Sequence, residues 1–152
     1  MNLGVNYSQF YDVLLRIREL FHSHGRIDDA NAKLDEIIKV ITLSYYEATK
    51  GVRFSLAFVK QYAANEFQDE SQVAPALREL FANACKDKFF INDDGTCIFG
   101  SAPTLIIQPS ENDFAERLIT EIEKIDFVNL AVSGQLSDFD AINECFGHFV
   151  RD

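Results

Sequence analysis

Two histidines, His22 and His24, lie close together in the chain, and imidazole is the commonest side-chain ligand of metal ions in proteins. On a helix, residues two positions apart point about 200° apart around the axis, so these two rings would not converge on one ion. No nearby cysteine completes a zinc set. The pattern therefore favours a polar helix end with histidine near the negative end of the helix dipole, and we predict no metal site.

The segment Asn92-Asp93-Asp94-Gly95 offers oxygen ligands of the kind that calcium prefers. An EF-hand loop, however, needs ligands at alternate positions, a glycine at the sixth position and a glutamate at the twelfth. Here the glycine is already the fourth residue from Asn92. The spacing is typical of a tight turn, which we predict in place of a calcium loop.

Cys145 and His148 are three residues apart, so on a helix they share one face and could form a nucleophile–base pair. Such a pair also needs an oxyanion site and a group that orients the base, and the sequence marks neither. Phe146 and Phe149 follow the cysteine closely, which favours a buried structural role for it. The chain also has no GxxxxGK[ST] or GxGxxG phosphate-binding loop. We predict no catalytic, cofactor-binding or metal-binding residue.

The chain has 152 residues, of which 47% are hydrophobic and 14 are Phe, which is enough material for one domain with a packed core. No apolar run approaches the roughly 20 residues of a transmembrane helix, and the first residues lack the pattern of a signal peptide. The three cysteines, Cys85, Cys97 and Cys145, are widely spaced and odd in number. We predict reduced thiols in a cytoplasmic protein.

The formal net charge is −10, which argues against strong DNA binding by the chain alone, because phosphate contacts depend on Lys and Arg. A local basic patch could still approach DNA while the other faces stay acidic. The candidate contacts are Lys50, Arg53 and Lys60, which cluster around one predicted helix junction. A second set is Arg16, Arg18 and Arg26. Scattered cations that balance an acidic surface would explain both sets about equally well.

Apolar residues recur at helical spacing over most of the chain, which predicts a mainly α fold, a compact multi-helix bundle. We predict caps at Asn6, at Ser71 and in a capping box over 110–113. A small β-hairpin is an alternative to a tight loop near 88–99, and the proline-bounded segment 102–109 fits either an extended stretch or one helical turn. The predicted helices cover 7–22, 28–50, 54–67, 71–84 and 113–125.

The predicted domain covers residues 1–128 and is followed by a linker over 129–137. Residues 138–152 then form an amphipathic helix, with Ile142, Phe146 and Phe149 on its apolar face. No glycine cap or proline follows this helix. We therefore expect the natural protein to continue beyond Asp152.

Two segments resemble a known family. His24-Gly25-Arg26-Ile27-Asp28-Asp29-Ala30-Asn31-Ala32-Lys33-Leu34-Asp35-Glu36-Ile37-Ile38-Lys39 resembles the start of the helical N-terminal domain of bacterial adenine-N6 DNA methyltransferases. These enzymes are similar to the modification subunits of type I restriction–modification systems. Residues 140–152, with Ile142-Asn143-Glu144-Cys145-Phe146-Gly147-His148-Phe149-Val150-Arg151-Asp152, resemble the helix that leads into their catalytic domain.

The resemblance implies a catalytic domain that this chain lacks. That domain would bind S-adenosylmethionine with a glycine-containing loop and hold a flipped adenine with an Asn-Pro-Pro-Phe or similar tetrapeptide. This chain contains neither motif. The implied role is support: packing on the catalytic domain, helping to clasp DNA, and meeting a specificity subunit or a second modification subunit. The alternative is a free-standing helical protein-interaction module that holds a partner with an exposed aromatic patch.

Overall fold

A computed structural model describes residues 3–24 and 30–125 of the chain, and it describes side chains over 11–23 and 32–125. These ranges contain a bundle of helices, so the predicted mainly α fold is confirmed. A single 3-10 turn, Lys88–Phe90, lies between the last two helices. The helices are α1 (Leu3–His24), α2 (Ala30–Thr49), α3 (Leu56–Phe67), α4 (Val73–Ala84) and α5 (Asn112–Ile122).

The core is organised around α4 and α5. Helix α4 packs against α2, α3 and α5, and helix α5 packs against α1, α3 and α4. Each has a wide apolar stripe at helical spacing, which explains why it can bury one face against several neighbours. On α5 the buried residues are Phe114, Ala115, Leu118, Ile119 and Ile122.

The sequence predicts where the helices lie more accurately than it predicts the residues at which they begin. Helix α1 already begins at Leu3, so Asn6 lies inside it and is not its cap. Helix α4 begins after Gln72, because the Ser71 hydroxyl and N–H donate to Asp69 Oδ1 at 2.6 and 3.0 Å. The predicted capping box before α5 does not form. Glu111 occupies the cap position, and its Oε1 accepts the Gln108 N–H at 2.7 Å.

The predicted hairpin near 88–99 is reduced to one isolated antiparallel bridge, between Ile91 and Cys97. The tight turn is confirmed: Asn92 N–H donates to Thr96 O at 2.7 Å, and Gly95 N–H donates to Asn92 O at 2.9 Å. Gly95 has a φ of +87°, a conformation that glycine adopts without a steric penalty. Too few residues pair on either side of this turn to form a strand.

Residues 126–152 lie outside the described part of the chain. The predicted linker over 129–137, the helix over 138–152 and the Cys145–His148 pair therefore lie there as well. None of the described helices combines the length and the apolarity that a membrane span requires.

Candidate functional site

The three predicted DNA contacts are exposed or half-buried around the α2–α3 junction, and each has a partner within the fold. Lys50 Nζ lies 3.3 Å from Glu47 Oε1 and 4.6 Å from the centre of the Tyr46 ring. Arg53 Nη2 donates to the Glu123 carbonyl oxygen at 2.7 Å. A phosphate would therefore compete with a carboxylate for Lys50 and with the end of α5 for Arg53.

Lys60 extends the same arrangement along α3. Its Nζ lies 3.7 Å from Glu116 Oε1 on α5, and Arg53 binds the Glu123 carbonyl oxygen directly after the end of that helix. The structure thus directs Arg53 and Lys60 towards α5, whereas Lys50 turns back to α2. DNA contact at Lys50, Arg53 and Lys60 remains a prediction.

An open groove of about 530 Å³ lies between α1 and α5 and includes Arg16 from the second cationic set. Arg16 Nε donates to Glu121 Oε1 at 2.8 Å across the groove, and Arg117 Nε pairs with Asp113 Oδ2 at 3.1 Å along α5. Acidic side chains outnumber the two arginines in its lining. The groove is therefore an unfavourable path for a nucleic-acid backbone.

Among the residues whose side chains the structure describes, the most completely buried charged group is Glu36, which lies on α2 with none of its surface exposed. Its two carboxylate oxygens accept the N–H groups of Ile106 and Ile107, each at 2.9 Å. Burial raises the pKa of Glu36, and the two backbone hydrogen bonds oppose that rise. The carboxylate thus supplies both acceptors for a stretch of chain that has no regular secondary structure.

Two cations hold the same stretch from other directions. Arg78 on α4 donates from Nη1 to the carbonyl oxygens of Leu105 and Ile107, at 2.7 and 2.6 Å. Lys39 donates to the Thr104 carbonyl oxygen at 3.1 Å. We call residues 103–109 the strap. Glu36, Lys39 and Arg78 together bind its backbone to α2 and α4.

Glu36 is not one of the first residues of α2, because the helix begins at Ala30 and its first turn contains no acidic residue. The helix dipole therefore does not explain where this carboxylate lies. The sequence signal for the burial of Glu36 was its position directly before Ile37 and seven residues before Leu43. Both of these apolar residues are fully buried. A carboxylate among such positions indicates a buried acceptor that needs a partner.

An aromatic cluster lies where α2 meets the 3-10 turn. The Tyr46 ring centre is 5.4 Å from that of Phe89 and 5.2 Å from that of Phe90. Phe89 remains 40% exposed and Ile98, across the bridge, 47% exposed, so this end of the bundle presents apolar surface. Asp87 fixes the cluster, because it accepts the Tyr46 hydroxyl at 3.0 Å and the Phe89 N–H at 2.9 Å.

Asp87 predicts a pH dependence of stability. The Phe89 N–H and then the Tyr46 hydroxyl lower the pKa of Asp87 below its usual 3.8. A lowered pKa gives stability that is complete above 3.8 and is lost as the pH falls through the folded-state value. We expect Asp87→Asn to be less stable than the wild type at neutral pH and to approach it in acid. Urea denaturation at a series of pH values measures this, with Asp93→Asn, in the neighbouring exposed turn, as the control.

The same prediction fails if the difference between Asp87→Asn and the wild type stays constant down to the lowest pH at which both fold. It also fails if Asp93→Asn shows an equal acid dependence.

The two histidines for which we predicted no metal site, His22 and His24, lie at the end of α1. His22 is exposed there. Over the described residues, no group of three His, Cys, Asp or Glu side chains is arranged to hold a metal ion. The acidic turn at 92–95 is occupied by its own hydrogen bonds, with Asp94 Oδ1 accepting the Thr96 hydroxyl at 2.6 Å.

No family model, curated protein or solved structure matches the chain.

Proposed function

We propose that this chain is the non-catalytic helical N-terminal domain of an adenine-N6 DNA methyltransferase, the modification subunit of a type I-like restriction–modification system. It supports DNA clasping and subunit assembly in the bacterial cytoplasm. S-adenosylmethionine belongs to the catalytic domain that would follow, and no residue of this segment is assigned to it.

One observation carries the proposal. The described part of the first resembling segment, residues 30–39, forms the start of α2, and its Glu36 and Lys39 hold the strap. The residues on which the resemblance rests therefore help to determine how the bundle is assembled. A mainly helical bundle is also the architecture that the resemblance implies.

The downstream coding sequence tests the proposal most directly. We expect the reading frame to continue past the codon for Asp152 into a glycine-containing cofactor loop and an Asn-Pro-Pro-Phe or similar tetrapeptide. A stop codon at that point would overturn the proposal. Sub-micromolar binding of S-adenosylmethionine to the 152-residue chain, measured by calorimetry, would also contradict it.

DNA contact in the full-length protein can be tested at the α2–α3 junction. We expect Lys50→Ala combined with Arg53→Ala to weaken DNA binding and to reduce the slope of log K against log salt by about 2, since each phosphate contact contributes about 0.9. Fluorescence anisotropy at several salt concentrations measures the slope. Arg117→Ala, an exposed α5 arginine, is the control. Because Arg53 also binds the end of α5, the melting temperatures must be compared.

An unchanged salt slope in a folded double variant would remove Lys50 and Arg53 from the interface. An equal change in Arg117→Ala would attribute the effect to net charge alone.

The second candidate function is a free-standing protein-interaction module. The exposed Phe89 and Ile98 beside the Tyr46 cluster favour it, because exposed apolar surface rimmed by polar groups is typical of protein contacts. A reading frame that ends at Asp152 would support this candidate over the first.

A further inference from the structure

Cys85 and Cys97 are twelve positions apart in the chain and are neighbours in the fold. Cys85 follows α4 as its C-terminal cap and is buried, whereas Cys97 lies at the bridge with Ile91 and is half-buried. Both are free thiols, and the Cys97 thiol is near enough to Cys85 to raise the pKa of Cys85. The sequence predicted reduced thiols but not that two of them lie near each other.

The surrounding side chains place Cys97 near Cys85. Phe81 lies one helical turn before Cys85, so the two share a face of α4. The Phe99 ring packs on Phe81 with centres 5.6 Å apart, and the Phe99 N–H donates to Cys97 Sγ at 3.5 Å. The chain around Phe99 therefore brings the Cys97 sulfur to the face of α4 that carries Cys85.

We propose that Cys85 and Cys97 form a redox-responsive pair, which a low-molecular-weight disulfide such as oxidised glutathione converts into an intramolecular disulfide. The inference is independent of the proposed methyltransferase role, because it rests only on the described α4 and the chain that packs on it.

The reaction proceeds by two thiol–disulfide exchanges. Cys97, the more accessible thiol, loses its proton to solvent and attacks one sulfur of oxidised glutathione. A mixed disulfide forms, and one glutathione thiolate leaves and takes up a proton. Cys85 then loses its proton, attacks Cys97 Sγ and expels the second glutathione. Two cysteine thiols are oxidised, and one glutathione disulfide is reduced to two thiols.

The second exchange is the slow one. Burial, followed by the neighbouring Cys97 thiol, raises the pKa of Cys85 to about 12, and the Lys39 ammonium group acts in the opposite direction. Burial, the largest of these causes, still acts when Cys97 carries glutathione. The thiolate of Cys85 is therefore scarce at neutral pH, and the mixed disulfide at Cys97 should accumulate before it is resolved.

The bond would close a loop over residues 85–97, which contains the 3-10 turn and the tight turn. Such a closure restricts the unfolded chain, and loops of this size give a substantial gain in stability. It would also fix the surface that carries Phe89 and Ile98. Oxidation thereby controls how rigidly this apolar end is held.

The test uses the 152-residue chain carrying Cys145→Ser, so that the third cysteine cannot exchange. After incubation with excess oxidised glutathione, we expect an intact mass lower by two hydrogen atoms and a non-reducing peptide map that links Cys85 to Cys97. The melting temperature should rise by roughly 5–10 °C and return to its starting value with a reducing agent. A folded chain that keeps both thiols under these conditions would overturn the proposal.

Two variants of that chain separate the steps. Cys85→Ser should stop at one glutathione on Cys97, and Cys97→Ser should leave Cys85 unmodified while the chain is folded. Glutathione on Cys85 in the folded Cys97→Ser chain would show that Cys97 is not the entry point and would contradict the proposed order. Because the mass and peptide map of the parent chain need no change at either cysteine, the main test does not depend on these variants folding.

Discussion

Glu36→Ala is expected to lower the free energy of unfolding by about 3 kcal/mol, because it leaves the N–H groups of Ile106 and Ile107 buried or half-buried without an acceptor. Each unsatisfied donor costs about 1–3 kcal/mol, and the desolvation that raises the pKa of Glu36 offsets part of the total. Urea denaturation followed by circular dichroism at neutral pH measures the change.

Asp35→Ala is the matched control for this prediction. Asp35 is adjacent in sequence and exposed, and its carboxylate pairs with Lys39 at 2.9 Å. Because Asp35 is exposed while Lys39 is largely buried, the pair contributes about 1 kcal/mol, and the change removes neither of the acceptors that Glu36 supplies to the strap. If Glu36→Ala were as mild as Asp35→Ala, the buried carboxylate would not be what holds the strap.

Arg78→Met is expected to cost about 2–3 kcal/mol for a related reason. Methionine keeps much of the apolar stem but removes the donors that serve the carbonyl oxygens of Leu105 and Ile107. Hydrogen bonds from a charged group contribute more than neutral ones. Arg117→Met, which loses only an exposed pair with Asp113, should change stability by less than about 0.5 kcal/mol.

A double-mutant cycle distinguishes a shared strap from two unrelated losses. Once Glu36→Ala has loosened the strap, Arg78 has less ordered chain to hold, so the double variant should lose less than the sum of the two single changes. A coupling of about 1–2 kcal/mol is expected, since neighbouring groups in one network couple by such amounts. Strict additivity would contradict the common role.

The helices could be predicted from sequence because their signal is local. In α5 the buried residues Phe114, Leu118 and Ile122 repeat every four positions, and that period alone indicates one apolar face. The helix starts were predicted less well because capping residues have competing partners. Ser71 has the chemistry of a cap, but Asp69 binds both its hydroxyl and its N–H.

The polar contacts could not be predicted because they join distant parts of the chain. Glu36 meets Ile106 across 70 positions, and Arg53 meets Glu123 across the same separation. A list of charged residues shows that Lys50, Arg53 and Lys60 are cationic but not that each has a partner within the fold. The proximity of Cys85 and Cys97, which are only twelve positions apart, could not be predicted for another reason, since it depends on how Phe99 packs against α4.

The strap has a kinetic consequence, since its amide hydrogens at 106 and 107 belong to no helix or strand yet are bound to a carboxylate. Exchange of these hydrogens with heavy water requires the segment to detach from Glu36, either alone or with the whole bundle. Their exchange rates would therefore report whether this stretch opens as a separate cooperative unit. If the strap opens only together with the whole bundle, these two non-helical amides would be among the most slowly exchanging in the protein.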